Sequence, residues 1–432
     1  MERKIVDELV AWKNRPGRKP LLLQGARQVG KTYSALTFGK THYHNTAYFS
    51  LEDSQEVQNV FSQDLNPTRI VRELSVLSGQ SIFPENTLII LDEIQACERA
   101  LQSLKYFHEN TPEYHILAAG SLLGVALNRQ QASFPVGKVD MLPIYPMDFE
   151  EFLWANGQKP LADLIREAFQ SAASFSLHET ALDYYRQYLV VGGMPEAVSE
   201  YISRKDFDFV RAAQKNLNSA YIADMAKYAD PQETTRIMAA WNSIPAQLAK
   251  VNRKFQYKLI KSGARAYEYE LPIAWLKSAG IIYQCILARE GRMPLSAYAN
   301  NQAFKIYLFD TGVLCSKFDI APSVILSQSH SMDGFKGALA ENYIIQALAA
   351  NGITPYYWAS EGKAEVDFVF QNDQGEIIPL EAKSADNVRA KSLRQYMDLY
   401  RPPYTIRVSA KNFGFENGIK SVPLYAMFCI ER

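Results

Sequence analysis

Short apolar runs separated by amphipathic stretches set the pattern of the first third of the chain. PLLLQ (20–24), TAYFSL (46–51), TLIILDE (87–93) and YHILAAGS (114–121) are too continuous for half-exposed strands and predict buried parallel ones. KVDMLPI (138–144) reads as a fifth. Helical stretches lie between them. One opens at Asn66–Pro67, an N-cap residue followed by proline at the first helical position, and another covers about 98–110. The alternation predicts a doubly wound α/β domain over residues 1–150.

Past Pro146 the strand signals give way to helical periodicity. ALDYYRQYLVV (181–191) runs into Gly192–Gly193–Met194–Pro195, a stop signal, and 205–228 reads as one long helix ending before Asp230–Pro231. Residues 151–231 thus form a helical linker or lid. Helical segments near 233–250, 255–262 and 267–279, followed by GIIYQCIL and FKIYLFD, give three helices and two strands. That order predicts a winged-helix-like unit over 232–320. Residues 321–432 return to mixed α/β, with a helix at 335–350, strands YYWAS, EVDFVF and EIIPLEAK, a helix at 388–400 and a strand YTIRVS.

Composition adds exclusions. A chain of 432 residues suits two or three domains, and 47% hydrophobic with 21% charged residues is ordinary for a globular protein. Lys+Arg and Asp+Glu both number 46, so any nucleic-acid affinity must come from local patches. Cys97, Cys285, Cys315 and Cys429 are scattered and make no CxxC pair, which argues against a zinc site or a disulfide framework. No apolar run approaches a membrane span, and MERKIVDELVAWKNR lacks the apolar core of a signal peptide. The expectation is a cytoplasmic protein with no membrane partner.

The chemistry is densest at Gly25-Ala26-Arg27-Gln28-Val29-Gly30-Lys31-Thr32, which fits G-x-x-x-x-G-K-[ST] between a strand and a helix. The glycines let backbone N–H groups turn toward phosphates at a helix N-terminus. Lys31, expected to be exposed at the loop, would bridge the β- and γ-phosphates of ATP, and Thr32 would hold Mg²⁺. TLIILDE supplies the second half. Asp92 would enter the Mg²⁺ shell and Glu93 would orient and polarise the attacking water. TAYFSL, lying between the two motifs in sequence, is expected to be the strand inserted between the P-loop and Asp strands. Ser121 reads either as a sensor of the γ-phosphate or as a helix N-cap before LLGVALNR. The sequence assigns no arginine to complete the site; Arg99 and Arg129 are candidates, and surface arginines without a catalytic role are the plainer reading.

With these residues placed, the chain resembles a large family of bacterial and archaeal two-part ATPases, an AAA-type domain joined to a C-terminal domain of unknown function. LLLQGARQVGKT, TLIILDEIQ, AAGSLL, LPIYPMDFEEFL, YLVVGGMPEAV, YIADMAKYA, KIYLFDTGVL, GALAENYIIQAL and EVDFVFQNDQGEIIPLEAKS carry the resemblance in order over nearly the whole chain. It implies an ATPase, a winged-helix-like middle and a C-terminal fold similar to restriction endonucleases. Gly137–Lys138 departs from the family pattern, in which an arginine often follows the glycine.

Glu341, Asp367, Glu381 and Lys383 suggest a second site. Glu381 and Lys383, two apart, share one strand face, Asp367 lies on the strand before, and Glu341 sits on the preceding helix. Carboxylates gathering a second divalent metal beside a lysine make the PD-(D/E)xK constellation of a nuclease; charged pairs on a strand surface are the plainer explanation. Arg253, Lys254, Lys258, Lys261 and Arg265, with Tyr257 and Tyr267 among them, cluster around the second helix of the winged unit and could rest on a DNA backbone or simply face solvent. The leading expectation is a Mg-dependent ATPase coupled to DNA binding or remodelling, with branched DNA a possible target and homo-oligomers a possible assembly. The alternatives are an ATP-regulated switch or scaffold that binds a protein, and an ATP-gated metal-dependent nuclease.

Overall fold

The computed structural model describes residues 1–121, 134–228, 230–250, 253–327, 333–360, 364–383 and 391–431. They divide into two compact units. One comprises Glu2–Tyr145 with Ser278–Gly280; the other comprises Met1, Pro146–Lys277 and Ile281–Arg432.

The smaller unit is built on five parallel strands, β1 (Leu21–Gln24), β2 (Asn45–Ser50), β3 (Thr87–Asp92), β4 (His115–Gly120) and β5 (Asp140–Pro143). Their spatial order is β2-β3-β4-β1-β5. β3 and β4 are buried along their whole length, as strands covered on both faces must be. Helices Lys31–His42, Pro67–Ser78 and Glu98–Asn110 make the crossovers. Pro67–Ser78 starts as the sequence predicts: the Asn66 side chain accepts from the N–H groups of Thr68 and Arg69, and proline follows it. Leu22, Ile89, Leu91, Ile116, Leu104 and Phe107 belong to its buried core. One expectation is corrected. The strand between β1 and β3 is β4, whereas the TAYFSL strand, β2, lies at the edge beside β3. Adjacency in a sheet is set by the crossovers rather than by order along the chain, and local sequence does not encode it.

In the larger unit, helices Phe149–Ala155, Lys159–Ser171, His178–Val191, Pro195–Arg204, Phe207–Tyr228 and Pro231–Leu248 precede the strands. Three of the motif segments meet here. Met147 N–H donates to the Gly193 carbonyl (2.7 Å), and Gly193 N–H donates to Asp310 Oδ2 (2.6 Å). Burial pushes the Asp310 carboxyl up to about 6, against the N–H groups of Gly193, Val313 and Gly312 that pull it down.

The strands form one eight-stranded sheet in the order β12-β13-β11-β10-β9-β8-β6-β7, with β6 Ile282–Ala288, β7 Ala299–Leu308, β8 Tyr356–Ala359, β9 Glu365–Gln371, β10 Ile377–Ala382, β11 Thr405–Ser409, β12 Gly414–Glu416 and β13 Ile419–Pro423. β8, β9 and β10 are antiparallel neighbours, and β10 pairs in parallel with β11. The two strands expected to finish a separate winged unit therefore extend the sheet of the C-terminal segment through the parallel pair β6–β8. The expected helix at 255–262 is a single 3-10 turn, Tyr257–Leu259. Lys254 instead bridges the backbone of Lys305 and Phe255 N–H donates to Phe304, so this stretch is drawn along β7 as an irregular extra edge. No described helix is long and apolar enough to cross a membrane.

Candidate active site and a second ionic cluster

Because β1, β3 and β4 run parallel, their C-terminal ends open on one edge of the sheet, where ligands of such folds bind. Gly25 follows β1, Asp92 closes β3 and Ser121 follows β4. The loop between β1 and helix Lys31–His42 needs glycine at both ends. A Cβ on Gly25 would lie 2.2 Å from the Ile144 carbonyl oxygen. Gly30, the residue before the helix, has φ +94°. Between them Gln28 also holds a positive φ of 62°. Arg3, buried, donates to the carbonyls of Val29 (2.9 Å) and Tyr145 (2.7 Å), and so clamps the loop from behind. Arg27 pairs with Glu52 at 3.7 Å.

Lys31 is buried rather than exposed, which corrects the sequence expectation. Its Nζ donates to the carbonyls of Gly25 (3.0 Å) and Ala26 (2.8 Å), the acceptors nearest to an ammonium folded over its own loop. Burial pushes its pKa down to about 8, although the charges of Glu93 and Asp92 hold it up.

Asp92 accepts three hydrogen bonds. Its Oδ2 accepts from Thr32 Oγ1 (2.7 Å) and Tyr48 hydroxyl (3.0 Å), and its Oδ1 accepts from the Glu93 N–H (3.0 Å). Hard oxygens from a hydroxyl and a carboxylate, side by side, suit magnesium. Glu93 sits in the left-handed region (φ 49°, ψ 45°) at the head of a 3-10 turn, Ile94–Ala96. Its Oε2 accepts from Gln95 Nε2 and, at 3.3 Å, from Ser121 Oγ. Lys31, Thr32, Asp92, Glu93 and Ser121 are thus brought together. Arg99 is not part of the site: it donates to the carbonyls of Phe61 (2.7 Å) and Gln63 (3.3 Å). Arg129 and the LLGVALNR stretch lie outside the described residues. Lys138 pairs with Glu109 at 2.9 Å. Sequence reasoning missed Tyr48, Gln95 and Arg3. A tyrosine two residues before the end of an edge strand and an arginine near the N-terminus carry no motif, and Gln95 enters only as the last residue of the resemblance stretch TLIILDEIQ, with no role attached.

The C-terminal set is also gathered, but with more cations than expected. Glu341, buried, accepts from Tyr307 hydroxyl (2.7 Å) and from Arg253 Nη1. Lys305, also buried, places Nζ 2.7 Å from Glu365 and 3.8 Å from Glu341. Asp367 Oδ2 accepts from Ala382 N–H at 2.9 Å, and Glu381 pairs with Lys383 at 2.5 Å. Burial pushes Asp367 up, with the charges of Glu341 and Glu381 adding to it and Lys305 opposing. Burial also pushes on Glu341, but Lys305 and Arg253 outweigh it and leave its carboxyl below the ordinary value. Among the described residues no three of His, Cys, Asp and Glu are grouped so as to hold a metal ion. Where a second divalent metal was expected, the ammonium of Lys305 and the guanidinium of Arg253 neutralise the acids. Of the expected basic helix, Arg253 and Lys254 are turned to this cluster, Lys254 reaching Glu365 at 3.7 Å, while Lys258, Lys261 and Arg265 are exposed.

Residues 17–153 match the family model of an AAA domain. Residues 182–323 and 336–427 each match a domain of unknown function, DUF8612 and DUF4143. No curated protein matches the chain. Among solved structures, a Walker-type ATPase of Pyrococcus abyssi is 14% identical over 73% of this chain and 95% of that one, with a TM-score of 0.45. The ORC2 protein of Aeropyrum pernix is 14% identical over 78% and 93%, with a TM-score of 0.38. The RuvB Holliday junction branch migration motor of Thermotoga maritima is 16% identical over 68% and 91%, with a TM-score of 0.31. The chain thus carries an AAA-type P-loop ATPase domain, with a parallel sheet and a glycine loop at its edge.

Proposed function

We propose that this protein is a magnesium-dependent ATP hydrolase whose turnover acts on bound DNA. One observation carries the ATPase half: the loop lysine, the Thr32–Asp92 pair and Glu93 converge at the C-terminal edge of β1, β3 and β4. In this reading the loop N–H groups and Lys31 bind the phosphates, and Thr32 and Asp92 hold magnesium, which offsets phosphate charge. Glu93 takes a proton from the attacking water, and Ser121 steadies its carboxylate. The DNA half rests on exposed Lys258, Lys261 and Arg265. Gel shifts and ATPase rates with duplex, single-stranded and branched DNA test it. Binding with stimulated turnover supports it; no binding and no stimulation by any of them removes it.

A second reading is a nucleotide-regulated switch that binds a protein, with hydrolysis as its timer. It is favoured by the inward turn of Arg253 and Lys254, which takes two cations away from any DNA surface. A Glu93→Gln variant holding ATP separates the two, because only the DNA reading gives it tighter DNA association. The internal pairing of Lys305 and Arg253 with the acids does not favour DNA cutting. Equal plasmid integrity with wild type and Glu381→Ala in Mg²⁺ or Mn²⁺ is the expected result.

A further inference from the structure

Glu93 is held by a second side chain besides Ser121, that of Gln95, to which neither the glycine loop nor the acid pair assigns a role. Ala96 N–H donates to the Glu93 carbonyl at 2.9 Å, closing the 3-10 turn Ile94–Ala96. The left-handed conformation of Glu93 and this turn fold the residue two places on back over the Glu93 side chain. Gln95 Nε2 then donates to Glu93 Oε2. The amide orientation is fixed by chemistry, since an ionised carboxylate accepts and only the NH₂ end of the amide donates. Ser121 Oγ meets the same oxygen at 3.3 Å. Two donors from two elements thus converge on one carboxylate oxygen and leave Oε1 as the oxygen free of them.

Gln95 gains nothing else from its place. Its own Oε1 is buried and has no hydrogen-bond partner among the described residues, and the bond to Glu93 is the one its side chain makes there. An amide serving only to satisfy the turn would be bonded to backbone at both ends. Burying half of it unpaired is a cost, and the contact with Glu93 is what offsets it.

We propose that Gln95 is a positioning residue for ATP hydrolysis: it fixes the Glu93 carboxylate, jointly with Ser121, so that the remaining oxygen is presented to the attacking water. This rests on the reading of Glu93 as the base, and the two are tested separately. Positioning acts on the rate of the chemical step, and small displacements of a base cost up to about 100-fold.

The experiment is steady-state ATPase kinetics on the full chain for Gln95→Ala, Gln95→Glu, Glu93→Gln and the Glu93→Gln/Gln95→Ala double variant, with melting temperatures. Gln95→Ala is expected to lower kcat about 10- to 100-fold while KM for ATP and the melting temperature stay near wild type. Gln95→Glu keeps the length and shape of the side chain but supplies a carboxylate in place of the donor, and should lose as much. In the double variant the Gln95 change should cost nothing beyond Glu93→Gln, because its effect passes through that carboxylate. Unchanged or increased kcat in Gln95→Ala overturns the proposal. So does full activity of Gln95→Glu, which would make the role one of packing, and so do independent, multiplying losses in the double variant. Wild-type turnover by Glu93→Gln would instead remove the base assignment on which the proposal stands.

Discussion

Thr32 Oγ1 donates to Asp92 Oδ2 at 2.7 Å, joining the second residue of helix Lys31–His42 to the last residue of β3 across the intervening β4. The pair is 60 residues apart in sequence, and parallel strands with their C-terminal ends in register bring it together. Both oxygens belong to the set proposed to hold magnesium, so removing either should act on metal dependence. Thr32→Ala and Asp92→Asn are each expected to cut turnover by about 100-fold or more, on the scale of losing a group that stabilises transition-state charge. Titrating Mg²⁺ against turnover checks this: both variants should need more metal, and a variant with an unchanged Mg²⁺ profile would show that the pair does not hold it.

Lys31 carries a pH dependence. The unfolded chain keeps the proton up to the ordinary value of 10.5, whereas the folded chain, with the ammonium buried, keeps it only to about 8. Between those values the unfolded state binds more protons, so the nucleotide-free protein gains stability as pH rises through this window. Phosphate binding needs the ammonium, so ATP affinity should fall as pH climbs past 8. Isothermal titration at pH 7, 8 and 9 measures the second effect. Lys31→Met should abolish ATP uptake, leave the circular-dichroism spectrum unchanged and reduce the stability slope between pH 8 and 10.5, the remainder coming from Lys317, which burial also pushes down to about 8.

Gly25 admits no side chain. Its Cβ would stand 2.2 Å from the Ile144 carbonyl oxygen and 2.9 Å from Ile144 Cγ2, and backbone cannot yield as a flexible side-chain tip can. Gly25→Ala should destabilise by about 1–3 kcal/mol, the usual cost of overpacking. Chemical denaturation measures it, and ATP affinity should drop with it because the loop must shift.

Lys305 tests the C-terminal cluster. Its buried ammonium serves Glu365 and Glu341, and deleting it leaves acids without their counter-charge. Lys305→Met should cost about 3–5 kcal/mol, as breaking one side of a buried ion pair does. A denaturation midpoint equal to wild type would mean that the acids find other partners.

The candidate ATP site was legible in the sequence because its two halves are local. A glycine loop between strand and helix, and an acid pair at the end of an apolar strand, are each fixed by a few neighbouring residues. Asn66–Pro67 was readable for the same reason. What could not be read was non-local. TAYFSL gave its strand but not its edge position, which the crossovers decide. The stretch 255–262 has helical periodicity, yet Arg253 and Lys254 are held at β7 and the acid cluster, and that tertiary pull leaves a single 3-10 turn. Lys305 is one lysine in an apolar run; only the pairing of β6 with β8 shows that it belongs among acids from later in the chain. The short strand β12 has no buried position and β13 is buried at Ile419, Val422 and Pro423, so neither gave an alternation to recognise.

The most direct test compares wild type with Glu93→Gln for ATP binding and for single-turnover hydrolysis in Mg²⁺. The account predicts that both bind ATP with similar affinity and that the variant hydrolyses it about 100-fold more slowly or worse. Failure of the wild-type protein to bind ATP, or equal hydrolysis by the two, would contradict it.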